Sequence, residues 1–76
     1  MEKYRIEIKK SAVKEIKNLP STDIRRVMEK IGSLANNPRP VGCVKLSDDE
    51  LYRIRVRKYR ILYAIEDNVL VVFRPS

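Results

Sequence analysis

The sequence predicts an α+β fold in which a helical hairpin packs on one face of a small, mainly antiparallel sheet. Three observations support this: apolar and charged residues alternate near the N-terminus, two stretches with helical spacing follow, and β-branched and aromatic residues fill the second half. The predicted order of elements is β-α-α-β-β-β. Because the chain has 76 residues, we expect residues 1–76 to form a single domain.

The first strand and the two helices follow from residue spacing. Residues 4–8 alternate between apolar and charged, which predicts a strand with one apolar face. Ser11 is predicted to cap a short helix that stops at Pro20. Ser21 or Thr22 would cap a second helix, which ends before Asn37-Pro38. Its apolar residues recur at the spacing of a buried stripe and are Ile24, Val27, Met28, Ile31, Leu34 and Ala35.

The stretch 51–65 is predicted to form a β-hairpin, because apolar residues alternate with other residues on both sides of Arg57-Lys58. If those two residues form the turn, Arg55 lies directly opposite Arg60, and Arg53 lies on the same face. Like charges directly opposite one another destabilise an antiparallel pair. Two interpretations therefore stay open: a solvated sheet face in a basic protein, or an anion site in which guanidinium groups meet phosphate oxygens.

The remaining strands and turns surround this hairpin. Val44-Lys45-Leu46 is compatible with a brief strand, Ser47-Asp48-Asp49-Glu50 with a turn, and 69–73 with a final strand. A three-residue turn at 66–68 would add three side chains of the final strand to the face that carries the arginines. Besides the arginines of the hairpin, that face would then hold Leu62, Ala64, Leu70, Val72 and Arg74. An uncovered face of mixed aliphatic and arginine side chains suggests that something binds there.

Composition narrows the class of protein. The formal net charge is +7, from 17 Lys and Arg against 10 Asp and Glu, which favours nucleic acid or an acidic protein as the partner. Cys43 is the only cysteine and there is no histidine, so neither an intrachain disulfide nor a Cys/His zinc site is available. We assign Cys43 a structural role and expect no metal or cofactor. No stretch approaches membrane-spanning length and the lone thiol fits a reducing cytosol, so we expect a cytoplasmic protein.

Three motifs, in order and at family spacing, resemble the RelE/ParE superfamily of toxin–antitoxin toxins, nearest its RelE branch. They are Asn37-Pro38-Arg39-Pro40-x-Gly42-x-x-Lys45-Leu46, Leu51-Tyr52-Arg53-Ile54-Arg55-Val56 and Tyr59-Arg60-Ile61-Leu62-Tyr63. The preceding strand and helix pair also fit, so the resemblance covers nearly the whole chain. It implies a type II toxin that cuts mRNA in the ribosomal A site and is held inactive by a cognate antitoxin wrapped around it.

The resemblance also assigns roles to residues. The residues expected to be catalytic, matching the basic residues of the family's central hairpin, are Arg53, Arg55 and Arg60. The further residues expected to bind RNA are Lys45, Arg57, Lys58 and Arg74. The residues expected to bind the antitoxin are Leu62, Ala64, Leu70 and Val72.

Two departures from the family pattern matter. Relatives usually carry a Gly-Asp-like turn where this chain has Arg57-Lys58, which lacks the residues that type I′ turns favour. Relatives also continue with a segment like Gly-His-Arg-x-x-x-Tyr, whereas this sequence ends at Phe73-Arg74-Pro75-Ser76. An arginine does not act as a base in a protein, and Glu50, the carboxylate next to the cluster, is interpreted as a turn residue. Unless the ribosome provides the proton-transfer groups, we therefore expect mRNA cleavage by these 76 residues to be weakened or absent.

Other functions remain open at this level. One is a ParE-like toxin that inhibits DNA gyrase through protein contacts, and another is a degenerate toxin that only binds its antitoxin. A small basic nucleic-acid-binding module belongs to a third class. The predicted core positions of Tyr52, Tyr59 and Tyr63 count against that module, because single-stranded RNA is usually held on exposed aromatic rings.

Overall fold

The computed structural model describes residues 3–47 and 50–75 and confirms the predicted α+β architecture. Two helices cover one face of a five-stranded sheet, and the brief stretch after the loop at 35–43 forms one of its strands. The elements, in chain order, are β1 (Arg5–Ile8), α1 (Lys10–Lys17), α2 (Ser21–Leu34), β2 (Val44–Ser47), β3 (Leu51–Val56), β4 (Tyr59–Glu66) and β5 (Val69–Pro75). No helix in the described residues is long and apolar enough to cross a membrane.

The sheet has the strand order β1-β5-β4-β3-β2. The three pairs from β2 to β5 are antiparallel, while β1 runs parallel to β5 at one edge. The first strand of the chain therefore lies beside the last. At the other edge, β2 pairs with β3 only as far as Val44 opposite Arg53. No strand of the described residues therefore lies beside the part of β3 nearest the hairpin turn.

The core lies between the helices and the sheet. Ile54, Ile61 and Tyr63, predicted to pack under the helices, are 3%, 0% and 0% exposed. Helix α1 contributes Ala12 and Ile16, and α2 contributes its buried stripe of Val27, Ile31 and Leu34. The described residues form one core cluster, between the helices and the sheet, and a chain of this size buries only a modest share of its surface. The stability of the fold therefore depends mainly on the packing of this core.

Both helices begin without the predicted side-chain caps. Lys9 precedes α1, and its backbone N–H donates to Val72 O of β5 at 3.0 Å, so the chain leaves β1 and turns directly into the helix. The prediction that Ser11 caps α1 is therefore wrong, since Ser11 lies inside the first turn. Helix α2 follows Pro20, whose fixed φ suits the approach to a helix, and Ser21 is its first residue.

The β3–β4 hairpin has the predicted register. Arg55 pairs with Arg60, and the residues on either side pair as expected around the two-residue turn Arg57-Lys58. The unusual turn sequence does not shift the strands. Its geometric requirement is met by Arg57 itself, which has a left-handed backbone with φ of 54°.

The predicted three-residue turn at 66–68 is wrong. Two residues, Asp67 and Asn68, connect β4 to β5, and Asp67 has φ of 54°. A change of one residue in a connection moves every side chain of the following strand to the opposite face of the sheet. Leu70 and Val72 consequently lie in the core and are fully buried rather than on the arginine face.

An irregularity in the register between Leu62 and Tyr63 then restores part of the prediction. Val72 is opposite Tyr63, but Arg74 is opposite Leu62, so the predicted position of Arg74 on the arginine face is kept. The predicted turn at 47–50 includes Asp48 and Asp49, which lie outside the described residues. Its last residue, Glu50, has a left-handed backbone with φ of 58°.

Candidate functional site

The sheet face turned away from the helices, called here the outer face, carries the three hairpin arginines. Arg55 and Arg60 are direct cross-strand partners and both are exposed. Arg53 lies two residues along β3 and is half-buried. The alternation of β3 and β4 thus brings three guanidinium groups to one region of the surface, as the sequence predicts.

A row of paired residues crosses four strands beside Arg55 and Arg60. Reading from β2 to β5, the row consists of Val44, Arg53, Leu62 and Arg74. Cationic and aliphatic side chains therefore alternate along it. The exposed Arg74 extends the positive charge of the hairpin towards β5.

The other residues predicted to bind RNA occupy different positions. Arg57 and Lys58 are exposed at the hairpin turn, and Lys58 Nζ lies 5.7 Å from the centre of the Tyr59 ring. Lys45 is exposed on the edge strand but pairs with Tyr52, whose side chain belongs to the helix-covered face. Lys45 is therefore separated from the arginines of the outer face.

The middle of the outer face is apolar, whereas charged residues line its β1–β5 edge; these are Glu7, Lys9, Glu66 and Asp67. Leu62 is half-buried, and Ala64 is 7% exposed between Leu51 and Val71. Phe73 lies next to Val71 along a groove at the β1–β5 edge. Leu62 and Ala64 are thus on the predicted face, while Val71 and Phe73 hold the outer positions that the sequence analysis gave to Leu70 and Val72.

A hydrogen-bonded cluster that the sequence analysis did not anticipate attaches the loop at 35–43 to the sheet. Arg39 Nε donates to Tyr52 Oη at 2.8 Å, Arg39 Nη2 lies 3.2 Å from Glu50 Oε2, and Tyr52 Oη donates to Glu50 Oε2. Tyr63 Oη donates to Pro38 O at 2.7 Å. The Tyr52 and Tyr63 rings stack with centres 5.7 Å apart, so two strands and the loop meet at one point.

The electrostatics of this cluster give Glu50 a structural role. The hydrogen bond from Tyr52, followed by that from Arg39, lowers the pKa of the Glu50 carboxyl below its usual range. Hydrogen bonds to Tyr52 and then to Glu50 raise the pKa of Arg39 above its ordinary value. A carboxylate stabilised in its ionised form is a weak base. Glu50 therefore suits its predicted role as a turn residue better than proton abstraction.

The two tyrosines of β4, the buried Tyr63 and the half-buried Tyr59, are also poor acids at neutral pH. Burial is the largest cause of the raised pKa of Tyr63. The pKa of Tyr59 is raised chiefly because its hydroxyl donates to Asp23 Oδ2 at 2.7 Å. Chemically, the outer face is thus suited to binding and stabilising anionic groups rather than to proton transfer.

Comparison with known proteins points to one class. Residues 6–74 match the family model of the ParE toxin of the type II toxin–antitoxin system parDE. A putative toxin RelE1 of Methanocaldococcus jannaschii is 30% identical over an alignment of 80 positions, gaps included. The alignment covers 97% of this chain and 89% of that protein.

Two solved toxin–antitoxin complexes contain chains of very similar structure. The archaeal RelE–RelB complex from Pyrococcus horikoshii gives a TM-score of 0.85 at 29% identity, covering 97% of this chain and 93% of that chain. The intact Escherichia coli RelBE complex gives a TM-score of 0.83 at 25% identity, covering 96% of this chain and 94% of that chain.

The fold and its matches therefore define a toxin of a type II toxin–antitoxin system. Within that class, the chain belongs to the RelE/ParE superfamily and lies close to its RelE branch.

Proposed function

We propose that this toxin cuts mRNA on the ribosome and is held inactive by an acidic antitoxin. The observation that carries the proposal is the direct pairing of Arg55 with Arg60 on an exposed sheet face, with Arg53 beside them. Such a pairing opposes folding, and a phosphate group is the natural ligand to offset the repulsion. The similarity to RelE proteins supports the same conclusion.

The proposed reaction is attack of an RNA 2′-oxygen on the adjacent phosphorus. The new O2′–P bond forms as the P–O5′ bond breaks, giving a 2′,3′-cyclic phosphate and a free 5′-hydroxyl. Arg53, Arg55 and Arg60 would stabilise the negative charge that develops on the phosphoryl oxygens. They do not take the proton from the 2′-hydroxyl, because arginine stays protonated in proteins. We assign proton transfer to groups that the ribosome or its bound water supplies.

We assign the antitoxin to the apolar part of the outer face. The half-buried Leu62 and Phe73 offer aliphatic and aromatic surface there, on the same face as the arginines, while Ala64 and Val71 are only 7% and 8% exposed. An acidic, partly apolar segment would complement both parts and cover the cationic site. The similar RelE chains from Pyrococcus horikoshii and Escherichia coli were both solved in complexes with their antitoxins, which supports this assignment.

Primer extension on an mRNA, with and without translation, tests the proposal. We expect wild-type toxin to produce new 5′ ends only when the message is translated. Arg55→Ala and Arg60→Ala should each reduce the cleavage rate by about 10²–10³-fold, the usual cost of losing a group that stabilises transition-state charge. Lys14→Ala, which removes an exposed cation from α1, serves as the control and should cut normally.

Gyrase inhibition is the second candidate, because the matching family model is that of a ParE toxin. It predicts that purified protein blocks DNA supercoiling by gyrase and leaves translated mRNA intact. That pair of results would contradict the ribonuclease proposal. Cleavage of translated mRNA with normal gyrase activity would contradict this alternative.

A further inference from the structure

A groove lies between α2 and the part of β3 that has no neighbouring strand. Because β2 pairs no further than Arg53, the edge of β3 near the hairpin turn faces α2 across a space of about 420 Å³. We call this space the α2–β3 groove. The charged and polar side chains that line it are Arg26, Glu29, Lys30, Ser33, Arg55 and Arg57.

The charge of this groove is strongly unbalanced. Four cationic side chains line it against one carboxylate, that of Glu29. Arg26 and Lys30 are four residues apart on α2, a spacing that places side chains next to each other on one face of a helix. Across residues 3–47 and 50–75, the one ion pair within 4.0 Å joins Arg39 to Glu50, which lies elsewhere. No described carboxylate therefore lies within 4.0 Å of a cation of the groove, although Glu29 lines the same space.

The backbone conformation of Arg57 is set by the two-residue hairpin turn. Its φ of 54° is the left-handed conformation that glycine adopts at little cost and arginine does not. Arg55 Nε donates to Arg57 O at 3.2 Å, which links the two groove arginines to the same turn. The turn and this hydrogen bond therefore hold Arg55 and Arg57 together beside Arg26 and Lys30, which line the same groove.

The groove favours a phosphate backbone over an acidic protein segment. Its apolar lining residue, Val56, is 8% exposed and belongs to the core. A protein partner would need buried apolar anchors at the centre of its interface. The groove offers cations instead and has no aromatic ring in its lining on which a base could stack.

We propose that the α2–β3 groove binds the phosphodiester backbone of RNA outside the bond that is cut. The inference rests on the proposed function in taking RNA as the ligand, and it adds α2 as a second surface for that ligand. Arg55 belongs both to the outer-face pair and to the groove, so the two cationic surfaces are continuous around the edge of β3. The same chemistry suits a phosphate of the mRNA or of ribosomal RNA.

The test compares two variants that lose equal charge. Arg26→Gln/Lys30→Gln removes two cations from the groove, and Lys10→Gln/Lys14→Gln removes two exposed cations with the same spacing from α1. Binding is measured against salt concentration in two arms: a single-stranded RNA 2′-O-methylated throughout so that it cannot be cut, and ribosomes without mRNA. For the RNA, the groove variant should reduce the slope of log K against log salt by about 1.4, from two lost contacts at about 0.7 each. The α1 variant should change it by less than half of that.

Glu29→Gln provides a change in the opposite direction and should strengthen binding, because it removes the single carboxylate of the groove. A larger loss for the groove variant than for the α1 variant in the RNA arm identifies the substrate strand as the ligand. A larger loss in the ribosome arm alone identifies ribosomal RNA. Equal behaviour of the two double variants in both arms would overturn the proposal.

These binding measurements need no cleavage, so they separate the groove from the proposed reaction. If wild-type toxin cuts no translated mRNA but the groove variant alone loses salt-dependent binding, the reaction fails and the groove stands. If cleavage occurs and the two double variants bind alike, the groove fails and the reaction stands.

Discussion

Arg55 and Arg60 face each other directly across the β3–β4 hairpin, on the side of the sheet that no helix covers. Their guanidinium groups carry the same charge, and the sheet gains nothing from bringing them together. The pair therefore lowers the stability of the free toxin while it raises the affinity of the toxin for a polyanion. Substitutions at these positions should move the two properties in opposite directions.

The first prediction tests this opposition with Arg60→Glu. A glutamate opposite Arg55 replaces repulsion by attraction, so the free energy of unfolding should rise by about 0.2–1 kcal/mol at low salt. RNA affinity should fall. Urea unfolding and RNA titration measure the two quantities, and the gain in stability should disappear near 1 M salt, where the screening length is about 3 Å. A variant that is less stable at low salt would contradict the stated cost of the pair.

The second prediction concerns Arg57→Gly in the hairpin turn. Glycine relieves a left-handed conformation that costs an ordinary residue roughly 1–2 kcal/mol, but it loses about 0.5–1 kcal/mol of entropy on folding. The free energy of unfolding should therefore rise by up to about 1 kcal/mol, while RNA binding weakens. Arg57→Ala is the control, since it removes the same charge without relieving the backbone. Equal stability of the two variants would show that the left-handed conformation costs no more than the entropy that glycine loses on folding.

The third prediction is a pH dependence of the loop attachment. Because Tyr52 and Arg39 lower the pKa of Glu50, the ionised carboxylate stabilises the folded state at pH values above the ordinary glutamate pKa of about 4.3. This contribution is lost as the pH falls through the lower pKa of the folded protein. Wild type should therefore be more stable than Glu50→Gln at pH 7, and the difference should shrink in acid. Urea unfolding from neutral to acid pH measures it. A difference that stays constant would show that the carboxylate is not coupled to its two partners.

The fourth prediction concerns the hydroxyl of Tyr63, which donates to Pro38 O from a fully buried ring. Tyr63→Phe keeps the ring but leaves that carbonyl without its partner, so it should lower the free energy of unfolding by about 1 kcal/mol. Because burial raises the pKa of this phenol, its contribution should be complete below the ordinary tyrosine pKa of about 10. It should be lost as the pH rises above that value, where the phenol ionises in the unfolded chain but not in the folded one. Tyr4→Phe serves as the control. A spectroscopic titration in which all four tyrosines ionise together would contradict the buried position of Tyr63.

The fifth prediction locates the antitoxin. Mixing toxin with its antitoxin should raise the melting temperature, because the partner binds the folded state. Leu62→Gln removes apolar surface from the outer face and should weaken binding by about 1–2 kcal/mol. Met28→Gln removes an exposed apolar side chain from the helix layer and should leave affinity unchanged. A greater loss with Met28→Gln would move the interface to the helices.

The sequence predicts the hairpin well because its alternation permits one register. Displacing β3 against β4 by one residue would bury Arg53 and Arg55 and expose Tyr52 and Ile54, at a high cost in free energy. No such constraint acts on β5, whose residues 69–73 are apolar throughout, so the pattern does not indicate which of them face the core. The two-residue turn decides that question, and the face of Leu70 and Val72 was predicted wrongly for this reason.

The attachment at Arg39 could not be predicted for a different reason. Loop residues carry no periodicity, and Glu50 and Tyr52 are separated from Arg39 by an entire strand. Hydrogen bonds of this kind depend on the path of the backbone, which is known only once the sheet is assembled. The α2–β3 groove is similar, because it forms only where β2 stops short along β3.

The position of β5 between β1 and β4 has a consequence for how the protein is made. Arg5 pairs with Val69 and Ile8 with Val72. The strand β1 therefore cannot pair until residues more than sixty positions later in the chain have been synthesised. Closing so long a loop is slow compared with forming helices or the central hairpin. A nascent chain that ends before β5 lacks both the neighbour of β1 and the fully buried Leu70 and Val72. The outer face of this toxin should thus be assembled only after β5 has been synthesised, and an antitoxin already present in the cell can bind it from that point.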